Sequence, residues 1–242
     1  MIKYLLNKIY IMEDAMNKII SSVLAVTVIA GTLMTGCGNV DKNFASDYVA
    51  ATMDASYKGE FNNYMKITVS NEEDVQEIYD NTVEYYTESI AYYCEVYTDE
   101  ISEDLHTEYT EFTKELLSKA KYTVASAENG KESCYVKISI KPINLLEQAE
   151  SDIQACVDDY NSTLEGIGQE ELENYTDEQY QEIEDNYAKC ILDALKKNAD
   201  NLEYKDNIDF TMEIHIDEDG LYAPANEDDW NTIDDYIMGI YE

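Results

Sequence analysis

The chain contains no arginine: all 16 of its basic residues are lysine, set against 52 aspartate and glutamate residues in a total of 242. The planar guanidinium group, which binds carboxylates and phosphates through two parallel hydrogen bonds, is therefore missing. A formal charge of −36 repels nucleic acid phosphates and anionic head groups, which excludes both as direct ligands. With only two prolines, the chain also has no proline-rich linker. Apolar residues make up 45%, which is enough for a real core.

Long apolar runs are scarce too, and the one uncharged example covers residues 19–40. It follows a short basic start at Met16-Asn17-Lys18 and leads into Leu33-Met34-Thr35-Gly36-Cys37. This order predicts a secretory signal over residues 16–36 that ends in a bacterial lipobox, with cleavage before Cys37 and a diacylglycerol on its thiol. The alternative is a transmembrane helix with an incidental cysteine, which the single lysine before the run and the glycines around Cys37 fit poorly.

Residues 1–15 do not suit any signal peptide, since Glu13 and Asp14 stand where the basic region should be. We expect them to be a mis-assigned upstream leader and Met16 to be the true start. The processed chain would then hold 13 Lys and 50 acids, a net charge of −37. One or two acyl chains, such as palmitate, would hold it on the extracytoplasmic face of the cell membrane.

After a predicted acylated tether at residues 37–43, the apolar period is helical. Stripes with a 3.6-residue period predict helices over about 44–59, from a capping box at Ser70-Asn71-Glu72-Glu73 to Tyr97, and from Ser102 to Leu116. Two further helices are predicted over 146–164 and from a second capping box at Thr176-Asp177-Glu178-Gln179, and a short one around Trp230.

Between these helices the period changes to two. Residues 121–128 and 131–143 flank Asn129-Gly130, a pair typical of tight hairpin turns, and residues 210–216 lead through Asp219-Gly220 to a partner strand. The sequence therefore predicts an α+β fold, with several amphipathic helices packed on one small antiparallel sheet built from two hairpins. We expect a single acidic domain over 44–242. A division near Gly168 is the alternative.

Four cysteines remain besides Cys37: Cys94, Cys134, Cys156 and Cys190. An even count in an exported chain allows two disulfides. Each cysteine nevertheless falls on the apolar stripe of its predicted helix or strand, where a free thiol serves as a small hydrophobic group. We therefore favour buried free thiols.

One cluster could hold a divalent cation such as Ca²⁺, because Glu213, His215, Asp217 and Asp219 alternate along the last hairpin. A polar strand face that leads into a turn is the plainer interpretation. We accordingly predict no metal site and no cofactor. His106 is expected on the solvent side of its helix.

Catalytic motifs are also missing. Ser118 and Lys121 have the SxxK spacing of penicillin-binding enzymes but lack their partner motifs, and the chain has no GxSxG, HExxH or phosphate-binding loop. We therefore predict that the protein is not an enzyme. Tyrosine accounts for 22 residues. We expect Tyr57, Tyr79 and Tyr187 to be buried and Tyr85, Tyr92 and Tyr135 to face outward. We interpret most tyrosines as core residues whose rings are buried and whose hydroxyl groups reach solvent.

The chain resembles a family of uncharacterised lipoproteins, with domains of unknown function, from Clostridia-type Gram-positive bacteria. The resemblance rests on the lipobox with Cys37-Gly-Asn-Val-Asp-Lys-Asn, the hairpin arm Tyr135-Val-Lys-Ile-Ser-Ile-Lys-Pro-Ile143 and the final Ile-Asp-Glu-Asp-Gly-Leu-Tyr hairpin before a tryptophan. It implies a cystatin-like or nuclear-transport-factor-like arrangement and no catalytic residues.

Two functions stay open at this level. The first is a non-catalytic surface module that binds a protein, a peptide or a small ligand between sheet and helices. The second is an acidic cation-binding or envelope-stress lipoprotein.

Overall fold

The computed structural model describes residues 40–130, 132–167, 169–172, 174–217, 221–226 and 228–240. This part of the chain is α+β, which confirms the predicted fold class. Its helices, numbered in chain order, are α1 Lys42–Lys58, α2 Phe61–Thr68, α3 Glu72–Tyr93, α4 Glu103–Ser118, α5 Leu145–Ile167, α6 Gln169–Leu172, α7 Asp177–Ala199 and α8 Asp229–Met238. None of these described helices is both long and apolar enough to cross a membrane.

Helix α1 is the central element, with nine of its 17 residues buried. It lies between the sheet and helices α3 and α4. Its start is fixed by Asp41, whose carboxylate accepts hydrogen bonds from the backbone N–H groups of Asn43 and Phe44 at 2.8 and 3.3 Å. Its end is fixed by Gly59, which adopts the left-handed conformation that glycine reaches without steric cost.

The helices differ from the sequence prediction in several places. Helices α2 and α6 were not predicted, because runs of eight and four residues are too short for a periodic pattern to stand out. Helix α3 ends at Tyr93 and not at Tyr97. At the start of α3, Asn71 and not Ser70 is the cap, since the Asn71 side chain accepts the N–H of Asp74 at 3.0 Å. Ser70 bonds instead to the hydroxyl of Thr68. The second predicted capping box, Thr176 with Gln179, is confirmed.

The sheet is antiparallel in the order β1-β3-β4-β5. Its strands are β1 Lys121–Val124, β2 Glu128–Asn129, β3 Ser133–Lys141, β4 Ile208–Ile216 and β5 Tyr222–Pro224, with β2 also paired to β3. On the inner face, Val136, Ile138 and Ile140 of β3 and Met212 and Ile214 of β4 are buried. The alternate residues are more exposed, so one face of the sheet packs against the core and the other faces solvent, as the two-residue period predicts.

The first hairpin turns later than predicted. Asn129 is a strand residue that pairs with Cys134, and Gly130 donates its N–H to the carbonyl of Ser133 at 2.8 Å. Neither Asn129 nor Gly130 is among the described residues with positive φ, so they do not form the predicted two-residue turn. The second predicted turn, at Asp219-Gly220, lies outside the described residues.

Helices α5 and α7 pack against each other, and we call this pair the helical arm. Only four of the 23 residues of α5 are buried, and seven of the 23 in α7. The arm contacts the rest of the fold through α7, where the Tyr109 hydroxyl of α4 donates to the carbonyl of Ala188 at 2.7 Å, and through the start of α5, where Glu147 pairs with Lys205. Residues 147–187, which include most of α5 and the start of α7, hold 14 acids and no lysine.

Candidate functional site

The strongest candidate site is a cleft of about 350 Å³ beside the end of β3. It lies where the β3–α5 connection, the carboxyl end of α8, the segment before β4 and the end of α3 come together. Its principal lining residues are Ile143, Asn144, Glu147, Lys205, Met238 and Ile240. We call it the Asn144 cleft. It lies at one end of the sheet, rather than in the predicted concavity between sheet and helices.

Three successive residues that follow β3 hold the floor of this cleft in place through backbone hydrogen bonds. Pro142 accepts the N–H of Lys205 at 2.9 Å, and Ile143 donates its N–H to the carbonyl of Ile237 at 3.0 Å. Asn144 then donates its N–H to the carbonyl of Glu203 at 3.1 Å. The connection is thus tied to two distant segments of the chain, which preforms the cleft.

Gly239 closes the end of α8 against this floor. Its φ of +65° is a conformation that L side chains rarely adopt, and a Cβ at this position would stand 2.5 Å from the carbonyl oxygen of Ile143. Both the backbone conformation and the close approach therefore require glycine.

The polar groups of the cleft differ in how fully the protein itself satisfies their hydrogen bonds. Lys205 donates to the Glu147 carboxylate at 2.5 Å and to the carbonyl of Gly239 at 3.2 Å, so its charge is largely compensated. The side-chain oxygen Oδ1 of Asn144 is buried and has no hydrogen-bond partner. A buried carbonyl left without a donor costs about 1–3 kcal/mol.

A second polar cluster lies in the core, one turn before the cleft along α8. Asp234, 6% exposed, accepts hydrogen bonds at Oδ1 from the hydroxyls of Tyr57 at 2.6 Å and Tyr86 at 3.1 Å. Burial raises the pKa of Asp234 to about 7, although the two tyrosine hydrogen bonds oppose the shift. Burial and the Asp234 charge in turn raise the pKa of both tyrosines. The cluster fastens α8 to α1 and α3.

The prediction of four free thiols is wrong for one pair. Cys156 of α5 and Cys190 of α7 form a disulfide, with their Cα atoms 5.8 Å apart. The prediction failed because Cys190 is exposed and not on a buried face. Cys94 and Cys134 are free and buried, as predicted. Burial raises the pKa of Cys94 to about 12, so it stays a thiol.

The three cation-site candidates that the structure describes, Glu213, His215 and Asp217, do not form a ligand cluster. The Glu213 carboxylate accepts a hydrogen bond from the hydroxyl of Ser133, and Asp217 accepts the N–H of Leu221 at 2.8 Å. His215 faces the same side as Glu213, and its Nδ1 is buried without a partner. No group of three or more potential ligands occurs among the described residues. Asp219 lies outside them, as does the predicted lipidation site Cys37.

The remaining sequence candidates are engaged in local contacts. The Ser118 hydroxyl donates to the carbonyl of Glu115 at 2.6 Å, whereas the ammonium of Lys121 lies 3.7 Å from the centre of the Tyr204 ring. His106 is half-buried, with Nε2 3.5 Å from a carboxylate oxygen of Glu84.

The tyrosine predictions hold for most positions. Tyr57 and Tyr187 are buried, and Tyr92 and Tyr135 are exposed. Tyr79 and Tyr85 are both only partly buried.

Sequence reasoning missed both polar features of the site region. Asp234 carries a detectable signal, because it stands four residues after Trp230 on the apolar stripe of α8. Asn144 carries none, since its surroundings depend on segments distant in the sequence, around Tyr93, Lys205 and Met238.

No protein-family model matches the chain, and no curated protein is similar to it. Among solved structures, the chain is similar to ycdA of Bacillus subtilis strain 168, which is described as a candidate lipoprotein. The TM-score is 0.53 at 14% identity, and the match covers 80% of this chain and 56% of the other. The chain thus spans little more than half the length of its structural neighbour. At this identity the likeness concerns the fold alone, so the resemblance to Clostridia-type lipoproteins and to a cystatin-like arrangement stays a prediction.

Proposed function

We propose that the protein is a lipid-anchored module of the extracytoplasmic membrane face, acylated at Cys37, that binds a small ligand in the Asn144 cleft without catalysis. The observation that carries the binding function is the preformed cleft beside the end of β3, which combines apolar walls with the Glu147–Lys205 ion pair. The anchor is supported by the lipobox at residues 33–37 and by the description of the Bacillus subtilis neighbour.

The shape and polarity of the cleft indicate the ligand class. A volume of about 350 Å³ is at the lower end of the range for small-molecule sites. Ile143, Met238 and Ile240 supply apolar walls, and Asn144 is a polar lining residue. Glu147 and Lys205 form an ion pair at the edge that can exchange partners with a ligand carrying both charges. An amino acid or a dipeptide has this combination of groups.

The anchor is tested by mass spectrometry of the amino-terminal peptide from membrane fractions. We expect a diacylglycerol on Cys37 and loss of membrane association in the Cys37→Ser variant. Recovery of the unsubstituted protein in the soluble fraction, with an unmodified thiol, would remove the anchor from the proposal.

Ligand binding is tested with the soluble chain from Gly38 to Glu242, which contains all of the described core. Amino acids and dipeptides are screened for a rise in melting temperature, and any that raise it are measured by calorimetry. We expect Asn144→Ala to lose binding, because the variant removes a polar lining residue and changes the shape of the cleft. Asn161→Ala, at an exposed position of α5, is the matched control and should bind normally. Equal binding by Asn144→Ala, or no shift with any compound, would refute the proposal.

A further inference from the structure

The amino-terminal end of the described chain is fastened to one end of the sheet. Val40 is 7% exposed, and its carbonyl oxygen accepts a hydrogen bond from the Cys134 thiol at 3.5 Å. The N–H of Asp41 donates to the hydroxyl of Tyr222 at 3.1 Å. Cys134 is the second residue of β3, and Tyr222 pairs with the last residue of β4. We call this end of the sheet the anchor end.

Very little chain separates this end from the proposed lipid. Cys37 precedes Val40 by three residues, and successive Cα atoms are 3.8 Å apart, so the two Cα atoms can be separated by at most about 11 Å. An acyl chain on Cys37 would therefore hold the anchor end against the lipid head groups.

The Asn144 cleft lies at the other end of the same strand. From Ser133 to Lys141, β3 extends over eight residue steps, which is about 26 Å. Lys141 pairs with Lys121 of β1, and the chain reaches Asn144 three residues later. The anchor and the cleft thus lie at opposite ends of β3.

Charge favours an upright body over one that lies flat. The chain from Cys37 onward carries a net charge of −37, which is repelled by an anionic leaflet. A body that is tied at one end and repelled along its length keeps its free end away from the surface.

We propose that the anchor end of the sheet faces the bilayer and that the Asn144 cleft opens away from it, about 26 Å farther out. This orientation rests on the proposed acylation of Cys37. It makes the start of α1 and the first residues of β3 the lipid-facing surface and leaves the cleft accessible from outside the cell.

The test uses the acylated full chain reconstituted in vesicles of phosphatidylcholine and phosphatidylglycerol that contain a head-group nitroxide lipid. Two matched variants, Lys42→Cys and Lys141→Cys, replace exposed lysines at the two ends and are labelled with a maleimide fluorophore. Cys94 and Cys134 are buried and Cys156 and Cys190 are joined, so the unsubstituted chain is the control for background labelling.

We expect the nitroxide to remove the fluorescence of the label at position 42 and to leave the label at position 141 unchanged. Equal quenching at both positions, or stronger quenching at position 141, would overturn the orientation. Flotation of the vesicles separates this outcome from failure of the anchor: protein that does not float refutes the acylation, whereas protein that floats with equal quenching refutes only the orientation.

Discussion

Helices α1 and α5 show two ways of holding a helix in place. Helix α1 buries nine of its 17 residues, and its Tyr57 hydroxyl reaches the buried carboxylate of Asp234. Helix α5 buries four of its 23 residues and is tied to α7 by a disulfide and by an ion pair between Asp152 and Lys197 at 2.9 Å. The centre of the fold thus depends on burial, and the helical arm on a covalent link.

The difference follows from composition. A helix with few apolar positions cannot offset its ordering entropy by burial alone, so a cross-link that restricts the unfolded chain has most value there. The 14 acids between residues 147 and 187 add repulsion that the arm must withstand.

The largest predicted effect tests how much burial stabilises the centre of the fold. Ile90 of α3 is completely buried against the core, and Ile153 of α5 is only partly buried. We expect Ile90→Ala to lower the free energy of unfolding by about 4 kcal/mol, and the matched change Ile153→Ala by about 1 kcal/mol. Urea unfolding measures both. Equal losses would mean that the arm is as well packed as the centre.

The second-largest effect tests how much the disulfide stabilises the helical arm. The disulfide between Cys156 and Cys190 closes a sequence separation of 34 residues, and its removal should lower the free energy of unfolding by about 3 kcal/mol. The double variant Cys156→Ala, Cys190→Ala is compared with the unsubstituted chain by urea unfolding, with and without reductant. Reductant should destabilise only the unsubstituted chain. A reductant effect that persists in the double variant would contradict this assignment, because Cys94 and Cys134 are free.

A third prediction concerns the pH dependence of the centre. Burial raises the pKa of Asp234 from 3.8 to about 7, so the folded state holds this proton more tightly than the unfolded state does. Its contribution to stability is therefore greatest below pH 4 and falls as pH rises through 7. Asp234→Asn cannot ionise. We expect the stability advantage of this variant over the unsubstituted chain to grow by about 2 kcal/mol from pH 5 to pH 8.

Denaturant unfolding at several pH values measures the free energy of unfolding of both proteins. The difference between them excludes the general charge repulsion, because both proteins share it. Asp152→Asn, in the exposed part of the arm, is the control and should show no such gain over the same range. A stability difference for Asp234→Asn that does not vary with pH would show that Asp234 folds with an ordinary pKa.

The smallest effect concerns the surface of the arm. Lys197 is 71% exposed in its pair with Asp152, and such pairs contribute little in water. We expect Lys197→Ala to change the free energy of unfolding by about 0.5 kcal/mol or less, and less still in high salt. A loss comparable with that of the disulfide would show that ion pairs, rather than the covalent link, hold α5 to α7.

The sequence predicts the periodic parts of this fold well, for reasons the structure makes plain. Strand β3 alternates buried and more exposed residues from Cys134 to Lys141, and α7 begins at the capping box of Thr176. These signals are local, so they can be read without knowledge of the partners.

Features that depend on partners distant in sequence could not be predicted. The Asn144 cleft needs Glu203, Lys205 and Gly239 to meet the end of β3, and the disulfide needs Cys190 to turn towards α5. Nothing in the residue spacing distinguishes the paired Cys156 from the free Cys94. The capping error at Ser70 is of another kind, because two adjacent residues, Ser70 and Asn71, both suit a cap.

The contacts of α1 also constrain the order in which the protein can fold. The hydrogen bonds from Asp41 to Tyr222 and from Tyr57 to Asp234 join residues that are 181 and 177 positions apart. These two partners of α1 are therefore absent until nearly the whole chain has been made, whereas its contacts with α3 and β3 can form earlier. Such distant contacts slow folding. For a chain that the proposed signal would thread through a membrane channel before it folds, this delay favours export of the unfolded chain.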